Sequence, residues 1–270
     1  MTIEDADTGA DRAGDRTALE APPGRSARAR ARSDRPHIPI WQETIILLVI
    51  AVLLAVVLKA FFVQAFYIPS ESMEPGLVKN DRILVQKVSY WGGGSPSRGD
   101  VVVFKDPGGW LGAEDVQGPD SPVTKALEKV GLYPSGGHLV KRVVGVAGDT
   151  IKCCDEQGRI SVNGVTVDEQ GYALPGKNGQ TECYGPMTGN CNWTAGPVPA
   201  GHVFVMGDNR AHSADSTVHM CVDGQTDCVP GREFVSDDLV VGKVFALVWP
   251  LSHFGGVGGA DAFDKVPDAK

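Results

Sequence analysis

WQETIILLVIAVLLAVVLKAFFVQAFYIPSESMEPGL, residues Trp41 to Leu77, decides how this chain is read. Its first part is apolar: no charge occurs from Thr44 to Leu58, and only Lys59 interrupts the run before Phe66. Twenty residues rising about 1.5 Å each cover roughly 30 Å, the hydrocarbon thickness of a bilayer. Ile, Leu, Val and Ala fill the run without Gly or Pro, and it lacks the polar stripe of a helix at a globular surface. Lys59, near one end, can extend its stem to the headgroup layer. The reading is one membrane span over residues 41–66. A long segment precedes it and bulky Phe61, Phe62, Phe66 and Tyr67 close it. A cleaved signal starts near the N-terminus and ends in small residues, so this one is an uncleaved anchor.

Working outward, Arg25, Arg28, Arg30, Arg32 and Arg35 lie before the span, and Glu71, Glu74, Lys79 and Asp81 after it. The excess of arginine puts residues 1–40 in the cytoplasm and the remainder on the outer face of the cell membrane. Residues 1–40 are Ala, Gly, Asp and Arg with few large apolar side chains, the composition of a disordered tail. The net charge of −8 argues against nucleic acid as a partner. No Gly-rich phosphate loop, Cys-x-x-Cys pair or histidine spacing suited to a metal occurs, so no cofactor and no metal are expected.

Short runs rich in Val, Ile and aromatics follow the anchor, at Ile83–Val88, Val101–Phe104, Leu139–Val144, Arg159–Val167, His202–Val205 and Leu239–Trp249, with Gly, Pro and Asp between them. Asn163-Gly164 inside one run is a two-residue hairpin signal. The last run, interrupted by Lys243, is too short for a second span and reads as a strand. A weak helix is expected around Val123–Val130. The fold class is mainly β: an antiparallel core of folded-barrel type over residues 67–252 with a hairpin-bearing extension. Insertions lie at about 106–137 and 151–199, and residues 253–270 read as a flexible C-terminal tail. Six cysteines in an exported domain read as disulfides. Intervals suggest Cys183 with Cys191 and Cys221 with Cys228, leaving Cys153 and Cys154 to pair elsewhere or stay reduced.

Three segments concentrate chemistry. IPSESMEP holds Ser70 and Ser72 in a proline-bounded loop, LVKRVVGVAGD puts Lys141 and Arg142 in an apolar strand, and MGDNRAHSADS packs turn formers, hydroxyls and carboxylates together. Strand alternation sends Lys141 and Arg142 to opposite faces, so one cation must point to a core or a covered groove. Burial lowers a lysine pKa, and a lysine brought near neutrality can serve as a base. A serine needs such a base to attack an amide, and no Gly-x-Ser-x-Gly elbow or histidine offers one.

These blocks, with GDVVVF at Gly99–Phe104, occur in the order found in bacterial type I signal peptidases, and the chain resembles that family from the anchor to about Leu251. The resemblance implies a membrane-bound serine endopeptidase that removes signal peptides from exported preproteins after Ala-x-Ala-like sites. It implies Ser72 as nucleophile, Lys141 as general base, Ser70 as oxyanion donor beside the Ser72 N–H, and Ser213 as the residue bonding the lysine amine. Asp208 and Asp215 would support the site. Implied partners are signal peptides and the lipid bilayer, near the export machinery, with a monomer as the default state. Three departures stand out. Glu71 replaces the usual glycine between the serines, Gly76 the usual threonine, and Thr217 an arginine that pairs with the aspartate equivalent to Asp215. Arg210 is a candidate to replace that arginine.

Overall fold

A computed structural model describes residues 39–112, 121, 137–174, 192–221, 228–257 and 261–269. The chain divides into two compact units, Met1–Ile46 and Leu47–Lys270, and the described part of the first is the opening of a helix. That helix, α1, runs Ile40–Phe61. Its stretch Ile40–Val57 has a mean hydropathy of 2.5 and none of it is buried, so by length and composition it can cross a bilayer. The helix stops short of the expected end at Phe66. Residues Val63–Tyr67 instead form strand β1, paired antiparallel with β2 (Arg82–Gln86), Phe66 opposite Ile83. Phe66 is buried among Ile68, Met73, Leu77, Ile83 and Val85, so protein packing and ladder hydrogen bonds claim a segment that lipophilicity alone assigns to the membrane.

The remaining strands are β3 (Val101–Lys105), β4 (His138–Gly145), β5 (Ile151–Cys153), β6 (Ser161–Val162), β7 (Val165–Thr166), β8 (Trp193–Ala195), β9 (His202–Met206), β10 (Phe234–Ser236), β11 (Val240–Trp249) and β12 (Gly255–Gly256). An eight-stranded sheet runs β1-β2-β11-β3-β4-β9-β10, with β12 on β11, and all its pairs are antiparallel. Register shifts in β11 and at Val143/Gly145 in β4 bend and twist the strands, which lets an open sheet curl around a core. The extension is a second sheet, β7-β6-β5-β8. Its β6–β7 turn is the expected hairpin, with Asn163 at φ 52° and Gly164 at φ 81°, the left-handed pair that a two-residue turn of this type requires. The mainly β, antiparallel core with a hairpin-bearing extension is therefore the architecture found.

Two expectations need correcting. Cys153 and Cys154 are disulfide-bonded to each other, a pairing of neighbours not considered from sequence intervals; Cys221 pairs with Cys228 as expected. The C-terminal segment is docked in its described part. Phe263 and Val266, three apart around a 3-10 turn, are buried in the core that the extension shares with β9, among Ile151, Val162, Trp193 and Phe204. Arg98, paired with buried Asp149 at 2.7 Å, donates to the carbonyls of Val266 and Pro267, and Asn163 Nδ2 donates to Pro267 O at 3.0 Å. Two apolar side chains and three carbonyl bonds hold a stretch whose small and charged residues read as loose. The helix expected near Val123–Val130 and the Cys183–Cys191 pairing lie outside the described residues.

Candidate active site

The loop after β1 carries Ser70 and Ser72, and its shape is set by what it buries. Ile68, Met73 and Leu77 are sunk in the core beneath β2 and β11. Full burial of such side chains contributes about 1.5–3 kcal/mol each. The loop is closed at its base by Ile68 N to Asp81 O at 2.9 Å and Asn80 N to Ile68 O at 2.9 Å, while Asp81 accepts from Val78 N at 2.7 Å. At its tip, Ser72 O accepts from Asn209 N at 3.0 Å, which ties the serine to the loop after β9. Gly207 makes that approach possible: a Cβ there would stand 2.5 Å from Ser72 O and collide with Ser213 as well.

Lys141 projects from the middle of β4, opposite Val102 on β3. It is 4% exposed, and its Nζ donates to Ser72 Oγ at 2.8 Å across 69 residues of chain. Burial lowers its pKa to about 8, and the charges of Asp215 and Asp208 pull it back up. The alternation argument demanded that one of the two β4 cations be covered; both are, since Arg142 is only 6% exposed. Burial disfavours the Arg142 charge, but Asp208 more than compensates and its pKa stays raised. Its Nε and Nη2 donate to the two Asp208 oxygens at 2.8 and 2.7 Å, and Nη1 to Gly99 O at 2.8 Å. The Tyr172 ring lies 4.7 Å from the guanidinium carbon.

Ser70 is exposed, and its hydroxyl donates to Ser72 Oγ at 3.2 Å. Ser213 is buried and donates to Asp215 Oδ2 at 2.6 Å. Asp215 also accepts from Gly207 N at 2.8 Å, from Thr217 N at 3.0 Å and from Thr217 Oγ1 at 2.7 Å. A hydroxyl therefore serves Asp215 where an arginine was expected. Arg210 does not take over that role. Its Nη2 pairs with Glu169 at 2.6 Å and its Nε donates to Gly207 O at 2.8 Å, with both side chains of the ion pair about 1% exposed. Glu169 and Tyr172 escaped the sequence reading because they sit in a Gly-rich stretch without periodicity. The one available signal was charge balance: each buried arginine needs a buried acid, and of the two acids named from sequence Asp208 is taken by Arg142 and Asp215 by Ser213, Gly207 and Thr217, which leaves Arg210 to be matched by a third.

The arrangement brings Ser70, Ser72, Lys141, Asp208, Ser213 and Asp215 into one neighbourhood from three separate segments, the loop after β1, strand β4 and the loop after β9. Chemically it can pass a proton from a hydroxyl to an amine, the work of a hydrolase. The family model described as "Signal peptidase, peptidase S26" matches residues 41–249. The chain belongs to that family and is a peptidase. It is 39% identical to signal peptidase I of Mycobacterium tuberculosis (strain ATCC 25618 / H37Rv) over 83% of this chain and 79% of that protein. With the probable signal peptidase I of Mycobacterium leprae (strain TN) it shares 38% identity over 83% of this chain and 81% of that one. A solved signal peptidase I from Enterococcus faecalis V583 aligns with 55% of this chain and 95% of its own, at a TM-score of 0.28 and 20% identity, too slight a likeness to add to the fold.

Proposed function

We propose that this chain is a membrane-anchored serine endopeptidase that removes signal peptides from exported preproteins after small residues, with Ser72 as nucleophile and Lys141 as general base. The observation that carries the reading is the 2.8 Å bond between a buried lysine amine and a serine hydroxyl. With a pKa of about 8, roughly a tenth of the amine is neutral at pH 7, against about one part in three thousand at its ordinary value. Ser72 Oγ attacks the scissile carbonyl carbon while its proton passes to Lys141 Nζ. The oxyanion takes hydrogen bonds from the Ser70 hydroxyl and the Ser72 N–H, donors that at such sites contribute about 3 kcal/mol each. The tetrahedral adduct collapses to an ester on Ser72 as the lysine ammonium gives its proton to the departing amine. Water then attacks the ester, Lys141 takes its proton, and Ser72 leaves with that proton restored. Ser213 gives its own proton to Asp215, so in this role it would accept from the lysine amine through an Oγ lone pair. Asp208, neutralised by Arg142, and Asp215 support the site.

α1 is the anchor of this enzyme, with the N-terminus cytoplasmic and the peptidase domain on the outer face. Eleven residues separate the helix end at Phe61 from Ser72, a reach of at most about 40 Å, which keeps the nucleophile near the membrane surface where signal peptides present their cleavage sites. A preprotein ending its signal in Ala-x-Ala, incubated with the full chain in vesicles, tests the proposal by the new N-terminus produced. Ser72→Ala and Lys141→Ala should each abolish cleavage, and so should Lys141→Arg, whose guanidinium stays protonated. Near-normal turnover by any of the three would remove the proposed dyad.

A further inference from the structure

Tyr172 is outside the Ser72–Lys141 hydrogen bond, yet several contacts fix its ring and its backbone. Its own N–H and that of Ala173 bond to Glu169 O at 3.2 and 2.9 Å. The next residue, Leu174, donates to Asp208 O at 2.7 Å and accepts from Arg210 N at 3.2 Å, so this segment of the extension is stitched to the loop that holds Asp208. Phe263 of the C-terminal segment backs the ring at 6.2 Å between centroids. The ring lies against Arg142, the residue after Lys141, with the guanidinium carbon 4.7 Å from the ring centre. Tyr172 also lines a cleft of about 500 Å³ with Thr166, Asp168, Gly171, Asp261, Ala262 and Lys265.

We infer that Tyr172 is a positioning residue for proton transfer at Lys141, acting through its ring, which seals the Arg142–Asp208 pair from the cleft. The inference rests on Lys141 being the base of the proposed reaction. The ionisable groups around that amine are Asp208 and Asp215 on the loops after β9, Arg142 on its own strand, and Arg210 with its partner Glu169 behind them. Asp208 favours the charged ammonium, and Arg142 cancels that influence in proportion to how dry and close their pair is. Removing the ring admits cleft water to the guanidinium. The cancellation weakens and the surroundings of the amine grow wetter. Both changes favour the protonated lysine. The phenol itself is not required as an acid or base, because burial first and then the Glu169 charge raise its pKa far above working pH.

The test is the pH dependence of kcat/KM for Ala-x-Ala preprotein cleavage by the full chain in vesicles, for wild type, Tyr172→Ala, Tyr172→Leu and Tyr172→Phe. Leucine keeps much of the bulk without a π face, which separates ring chemistry from simple loss of packing. The acid limb should move to higher pH in Tyr172→Ala and Tyr172→Leu, giving roughly threefold to tenfold lower kcat/KM at pH 7 with the alkaline plateau retained. Tyr172→Phe should restore the wild-type profile. An acid limb unmoved in both ring-less variants, with the wild-type limb near pH 8, would overturn the inference while leaving the dyad standing. If wild type itself showed no limb near pH 8, the proposed base would fail and this role would fall with it.

Discussion

Lys141→Met should destroy activity and yet raise stability, because the lysine is held where its charge is unwelcome. In the folded chain its pKa falls from 10.5 to about 8 through burial. Folding therefore favours the neutral amine by about 3 kcal/mol, and at pH 7, where lysine is protonated in both states, nearly all of that appears as a stability cost. Methionine is unbranched, fills a similar volume and carries no charge. It forfeits the bond to Ser72 Oγ, worth about 1 kcal/mol net, so the expected gain at pH 7 is roughly 2 kcal/mol. For a chain of this size that raises Tm by roughly 4–8 °C. Between the two pKa values the unfolded chain binds more protons at this position than the folded one, so wild-type stability rises with pH there. The advantage of the variant should therefore shrink from about pH 8 upward, vanish near pH 9.5 and reverse slightly by about pH 10.5, where the neutral lysine keeps its bond to Ser72 at little cost. Thermal unfolding of both full-length proteins in the same detergent, scanned from pH 6.5 to 10.5, measures this. A variant no more stable than wild type at pH 7, or a gap that stays flat across that range, would refute a strained, desolvated amine at position 141.

Other outcomes follow from contacts away from the reacting atoms. Gly207→Ala should lower cleavage by on the order of 100-fold while the sheet stays folded, because its methyl would displace the Ser72 carbonyl and the nucleophile with it; activity assayed alongside circular dichroism checks this. Glu169→Ala strands the fully buried Arg210 and should destabilise the chain by about 3–5 kcal/mol, read from chemical denaturation, whereas an exposed pair would cost little. Phe263→Ala should cost about 3 kcal/mol and make the C-terminal segment the first site of limited proteolysis; an unchanged Tm would show that this segment is not docked in solution.

Local sequence sufficed wherever one physical rule governed a contiguous stretch. The uninterrupted apolar run from Thr44 to Leu58 required a helix with no polar face, Asn163-Gly164 required a left-handed turn, and short runs of Val, Ile and aromatics bounded by Gly, Pro and Asp required strands. The order of the chemical blocks identified the family, since four short motifs beside one anchor leave little room for coincidence. Tertiary structure decided everything that depends on who shares a burial site. Residues Val63–Tyr67 are lipophilic enough for the bilayer, and only the existence of β2 beside them makes the sheet the better partner. Phe263 and Val266 look like stray apolar residues until the core of the extension receives them. Glu169 lies 41 positions from Arg210, and Tyr172 lies 30 from Arg142; no local pattern links such residues. Their pairing arises because a buried cation must find a compensating group in space, and chain separation places no limit on where the fold supplies it.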